Sequence, residues 1–128
     1  MHTITVSEWV QALRSGEFKQ TIGHLRDEVG YCCLGVAAEL TEVPSEPNDD
    51  GVYSYIFPSI TGTPELIRVD LPSSTMLALD IEASRNGCED FIRRVIDMND
   101  TEVPFDEIAD FIEKSLPADL IISLVSNR

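Results

Sequence analysis

Val6, Trp9, Val10 and Leu13 recur at spacings of three and four, which marks a helix with one apolar stripe. Thr5-Val6-Ser7-Glu8 reads as a capping box: the Thr5 hydroxyl accepts from an early helix amide while Glu8 reaches back. Gly16 is expected to stop this helix. From Glu17 to Tyr31 the period is lost, and Phe18, Ile22 and Leu25 stand among polar residues with Gly23 and Gly30 as turn points. This stretch predicts irregular extended structure with a short hairpin closed at Asp27 to Gly30. Cys33, Val36, Ala37 and Leu40 restore the helical spacing and predict a second helix from about Cys32 to Leu40.

PSEPNDDG, Pro44 to Gly51, is a loop by composition. VYSYIF (Val52 to Phe57) and ELIRVD (Glu65 to Asp70) are rich in aromatic or β-branched residues and read as strands able to pair as a hairpin. The remainder reads as helical. Pro72 precedes a short helix in SSTMLALDI, and Phe91, Ile92, Val95, Ile96 and Met98 line another. Pro104 suits a first helical position, with Phe105, Ile108, Ala109 and Ile112 as the inner face. Pro117 opens a last segment carrying Leu120, Ile121 and Leu124. The sum is α+β: a small, mostly helical single domain over residues 1–128 with a minor antiparallel sheet or hairpin.

Length and composition agree with that picture. A chain of 128 residues, 43% hydrophobic, is long enough to bury a core of its own. No apolar run approaches the roughly 20 residues that span a bilayer. The start, MHTITVSEWV, lacks the basic and apolar regions of a signal peptide, so a cytoplasmic location is expected and no membrane partner. Three cysteines, two of them adjacent, make a poor disulfide framework and are read as reduced thiols.

Charge changes the picture more. The net charge is −14, which argues against direct nucleic-acid binding, because phosphate contacts rely on basic patches. Residues 1–38 carry a net −1 and residues 39–128 the remaining −13, while Val10 to Arg26 sums to +2. One locally basic strip therefore sits in an acidic protein.

Four kinds of chemistry have candidates in the chain, each with a structural alternative. Cys32 or Cys33 with His24 could form a nucleophile and base, since a thiolate is favoured at a helix N-terminus near Arg26. The run CCLGVAAEL wants burial, however, and small core cysteines explain it better. No spacing matches a metal site, and no cofactor is implied. Among 23 acids no pair stands out as catalytic. The strip Arg14, Ser15, Gly16, Lys19, Gln20, Thr21 and Gly23 differs: it offers charged, amide and hydroxyl donors, with glycines that admit close approach of a ligand. It matches neither a P-loop nor a dinucleotide fingerprint.

The stretch WVQALRSGEFKQTIGHLRDEVGYCCLGVAAEL resembles a family of small uncharacterised bacteriophage and prophage accessory proteins. Its members read roughly W-x-x-A-L-R-S-G-x-Y-x-Q, then G-x-L, then G-[YF]-C-C-L-G-V. A second block, N-D followed by F-x-x-I-A-x-x-I-E, is matched by VIDMNDTEVPFDEIADFIE, Val95 to Glu113. DLPSSTMLALDI is similar to a leucine-proline segment between the two. Phe18 stands where tyrosine is usual, and Val103-Pro104 replaces a small polar lead. The resemblance implies a phage accessory protein and carries no established chemistry. It sharpens the expected ligand-binding set to Arg14, Ser15, Gly16, Lys19, Gln20, Tyr31, Cys32 and Cys33, facing one pocket with the helix-2 N-terminus.

The expectation is a non-enzymatic protein in the host cytoplasm that sequesters a small anionic ligand or a host protein, a phosphorylated nucleotide signal being the class that suits the strip. Two alternatives stand beside it: an acidic protein–protein inhibitor imitating nucleic acid, and a cysteine-dependent enzyme. A homo-oligomer is compatible with each.

Overall fold

The computed structural model describes residues 3–58, 66–69, 79–83 and 89–126. The capping box forms as the sequence predicts. Thr5 Oγ1 accepts from the Glu8 amide at 3.2 Å and Glu8 Oε1 accepts from the Thr5 amide at 3.1 Å, starting α1 (Val6–Arg14) directly after the two-residue strand β1 (Ile4–Thr5). Val6, Trp9, Val10 and Leu13 are all buried, and Gly16 follows the Ser15 cap with φ of 78°. The second helix, α2 (Cys33–Leu40), is capped by Cys32 and buries Cys33 to Ala38 almost completely.

After α2 come β2 (Ser45–Pro47), β3 (Tyr53–Pro58), β4 (Leu66–Val69) and β5 (Leu79–Ala83). Helices α3 (Glu89–Asp100) and α4 (Phe105–Ser115) lead to β6 (Ile121–Ser126). The strands form two antiparallel three-stranded sheets, ordered β2-β3-β4 and β1-β6-β5, and the fold is α+β.

The β3–β4 hairpin matches the sequence reading, with Phe57 opposite Ile67 and Tyr55 opposite Val69. Three elements correct it. Within the expected loop from Pro44 to Gly51, Ser45–Pro47 pairs with Tyr53–Tyr55; as an edge strand it tolerates Pro47, which has no amide to donate. The end of SSTMLALDI is strand: Leu79, Asp80 and Ile81 pair with Ser126, Val125 and Leu124, and the residues before Leu79 lie outside the described set. The last segment is β6 rather than helix. IISLVS is rich in β-branched residues, and pairing on both sides with β1 and β5 decides its conformation. Pro104 is the N-cap of α4 and not its first turn, while Phe105, Ile108, Ala109 and Ile112 form the buried face as expected.

The core lies where α1 crosses α4 and α2. Trp9 is fully buried, donates its indole N–H to the Cys33 carbonyl at 3.0 Å, and meets the Phe91 ring edge-on. Phe91 in turn stacks on Phe111 at 5.7 Å. Loss of such an aromatic from a core costs about 3–5 kcal/mol. The Val6 and Ser7 amides donate to the Leu120 and Ala118 carbonyls, so the start of α1 is held by the turn that leads into β6. No helix among the described residues is long and apolar enough to cross a membrane.

Candidate functional site

The loop between α1 and α2 is built by its own backbone. The Tyr31 amide donates to the Lys19 carbonyl and the Tyr31 carbonyl accepts from Thr21, both at 2.8 Å, while Cys32 donates to Leu25 at 3.0 Å. Tyr31 also pairs antiparallel with Arg26, and the expected turn closes with Asp27 donating to Gly30 at 2.9 Å. The Asp27 carboxylate accepts from the Val29 and Gly30 amides and, at 2.7 Å, from the Thr21 hydroxyl. Burial alone would raise its pKa, but these hydrogen bonds carry it below the ordinary value. Two glycines are needed for contact: a Cβ at Gly30 would fall 2.2 Å from the Lys19 carbonyl oxygen, and one at Gly35 1.9 Å from that of Leu25.

A lock holds the loop from the other side. Asn99, at the end of α3 and fully buried, donates to the Thr21 carbonyl at 2.8 Å. Its Oδ1 accepts from Gln20 Nε2 at 3.1 Å and from the Cys33 amide at 3.3 Å. Gln20 spends its other donor on the Val103 carbonyl at 2.8 Å, and Asp100 accepts from the Gly23 amide at 3.4 Å. The Asn-Asp pair of the second block thus binds the polar loop of the first. Packing does require a polar residue at Gln20, a role the sequence reading did not assign.

The expected ligand-binding residues divide among separate tasks. Arg14 turns to α4, where its guanidinium meets Asp110 and, at 3.1 Å, Glu113, which raise its pKa further. Ser15 Oγ donates to the Ala12 carbonyl and accepts from Glu17. Gly16 and Lys19 are exposed. Gln20 belongs to the Asn99 lock, and Tyr31 is half-buried with its ring edge-to-face against Phe18.

Cys32 and Cys33 are sealed in the core. Burial pushes the Cys32 thiol up to about 12 and the Cys33 thiol well above its ordinary value, against the smaller pull of helix N-terminal amides. Cys32 Sγ caps α2 by accepting from Gly35, and Cys33 Sγ donates to the Val95 carbonyl. Among the described residues no hydrogen bond links either thiol to His24, whose Nδ1 is buried without a partner. No group of three or more His, Cys, Asp or Glu that could hold a metal ion occurs among the described residues.

A second cluster emerges where the loop meets β3. The Tyr53 amide donates to the Arg26 carbonyl at 3.0 Å, so Arg26, Tyr31 and Tyr53 lie on neighbouring extended segments. The Arg26 guanidinium sits 3.9 Å from the Tyr53 ring centroid and 5.0 Å from that of Tyr31. Its Nη1 contacts Glu39 on α2 at 3.4 Å, and the buried Tyr55 hydroxyl donates to the same Glu39 oxygen at 2.7 Å. Burial and the Glu39 charge raise the Tyr31 phenol, which stays an O–H donor at neutral pH. Sequence reasoning counted Arg26 only as a charge and Tyr53 only as a strand former. The alternation of VYSYIF, which sends Tyr53 and Tyr55 to the same side of β3, was the available signal.

Comparison with known proteins adds a partial likeness. No curated protein and no solved structure matches the chain. The profile of a domain of unknown function (DUF8296) matches residues 1–50, the span from the start of the chain through β2 that contains the whole α1–α2 loop.

Proposed function

We propose that this is a non-enzymatic binding protein, phage-encoded, that acts in the host cytoplasm by sequestering a small anionic ligand of the phosphorylated-nucleotide class. The observation that carries the reading is the contrast within one loop. The candidate nucleophiles Cys32 and Cys33 are buried with raised pKa values, whereas Arg26, Tyr31 and Lys19 stay within reach of solvent on a backbone pinned from both sides. Rigid presentation of donors beside two thiols sealed in the core suits holding a ligand better than transforming one.

Native mass spectrometry of the protein purified from bacterial cells, set against its denatured mass, tests this. An added mass of nucleotide size supports the reading, and a bare mass in every preparation counts against it. Iodoacetamide with peptide mapping supplies a second check: Cys32 and Cys33, among the three cysteines, should label slowly in the folded protein at neutral pH and rapidly in urea. Fast labelling of Cys32 or Cys33 in the folded state would reinstate the cysteine enzyme.

A specific feature favours a second reading, an acidic inhibitor of a nucleic-acid-binding protein. Glu102, Asp106, Glu107, Asp110 and Glu113 are all exposed along and before α4. Binding of that kind should weaken steeply with salt, and an affinity flat across ionic strength would remove it.

A further inference from the structure

Arg14 and Arg26 are the two guanidinium groups of the loop region, and their N–H donors are used very differently. Arg14 faces two carboxylates through both terminal nitrogens. Arg26 engages one acceptor among the described residues, Glu39, at the long distance of 3.4 Å. That Glu39 oxygen is shared with the Tyr55 hydroxyl, which diverts part of its charge. A guanidinium carries five N–H donors in a planar fork, so most of the Arg26 fork is unspent. The hydroxyls of Tyr31 and Tyr53 likewise have no hydrogen-bond partner among the described residues.

The three groups are also preorganised. Ring faces hold the guanidinium flat, the Arg26–Tyr31 pairing and the Tyr53-to-Arg26 backbone bond fix the three Cα positions, and Phe18 buttresses Tyr31 at 5.2 Å. The Arg26 side chain keeps 27% of its surface exposed, enough to reach and little enough to be partly desolvated. A flat, half-buried fork flanked by two phenol donors is complementary to an oxyanion, which it can meet with charge-assisted hydrogen bonds.

We propose that Arg26, Tyr31 and Tyr53 form an oxyanion site for a phosphate or carboxylate group of a small ligand, with Glu39 as the internal counter-ion that the ligand displaces. This rests on the binding-protein reading above and moves the ligand's charged end from Arg14 to Arg26. Glu39 makes the site selective: an incoming anion must compete with a carboxylate already present, so weak acceptors are excluded.

The test is a titration of the full chain with phenyl phosphate and with benzoate, two probes sharing a ring and differing in oxyanion, followed by NMR at the Arg26 Nε–H and by calorimetry. One probe or both should saturate with a shift at Arg26, and the tighter one identifies the oxyanion. Arg26→Lys, which keeps the charge and loses the fork, should weaken binding about tenfold or more. The double change Tyr31→Phe with Tyr53→Phe keeps both rings and should weaken it several-fold with thermal unfolding close to wild type. Glu39→Gln should tighten it. Saturation that ignores Arg26→Lys and the Phe pair but vanishes with Arg14→Ala plus Lys19→Ala overturns this site and leaves the binding reading standing. Absence of saturation by either probe also overturns the site, and the native mass then decides the binding reading on its own.

Discussion

Gln20 and Thr21 close on Asn99, and five residues beyond Thr21 the Arg26 side chain lies against Tyr31 and Tyr53. Both are polar clusters in one loop, yet they are finished to different degrees. At Asn99 the side chain makes three hydrogen bonds in full burial, and Gln20 spends both its amide donors on that lock and on Val103. At Arg26 one long contact is made, and two phenol hydroxyls stand by without partners among the described residues. A completed network holds a fold together, whereas an uncompleted one on a rigid backbone is ready for something the chain does not supply. The difference separates residues kept for architecture from residues available for binding, although all of them look alike as letters in a polar loop.

The largest expected effect lies at the Asn99 lock. Asn99→Leu keeps the volume but strands the Thr21 carbonyl and the Cys33 amide in the core, so we expect a loss of about 3 kcal/mol in urea unfolding. A loss near zero would mean that the loop holds itself and that the lock is ornamental.

The next largest effect is a pH dependence. The Asp27 carboxyl is lowered from 3.8 by the hydrogen bonds that close the turn, so its contribution is complete above that value and is lost as pH falls through the lower folded pKa. Asp27→Asn should therefore be less stable than wild type at about pH 5, and the gap should narrow at about pH 3. An equal gap at both would show that the carboxylate charge is irrelevant to the turn.

The smallest effect belongs to Arg14. Its ion pairs with Asp110 and Glu113 are exposed, and surface pairs contribute little. Arg14→Ala should leave the melting temperature almost unchanged, and should leave oxyanion binding unchanged as well. A large drop in either would place Arg14 with the working residues.

Features that depend on neighbours in sequence were legible before the fold. The Thr5–Glu8 capping box, the stripes of α1 and α4 and the Asp27–Gly30 turn all follow from spacing and local hydrogen bonding. The errors share a different origin. Leu79–Ala83 and Ile121–Ser126 carry enough apolar residues to suit either helix or strand, and they become strands because they find each other and β1, a choice made by distant pairing. Gln20 was read as a ligand donor because its partner lies 79 positions away at Asn99, beyond any local pattern. Tyr53 and Arg26 come together across the whole of α2 and β2, for the same reason. The matching profile stops at residue 50, yet α1, β1 and the loop all end on groups from residues 99 to 122.

That dependence has a consequence for synthesis. Ribosomes deliver the loop and α2 first, and the Cys33 amide then waits 66 positions for the Asn99 side chain that accepts from it. Until α3 and α4 arrive, α2 has only α1 and the loop to pack against, so the chain commits to its structure only when most of it has been made.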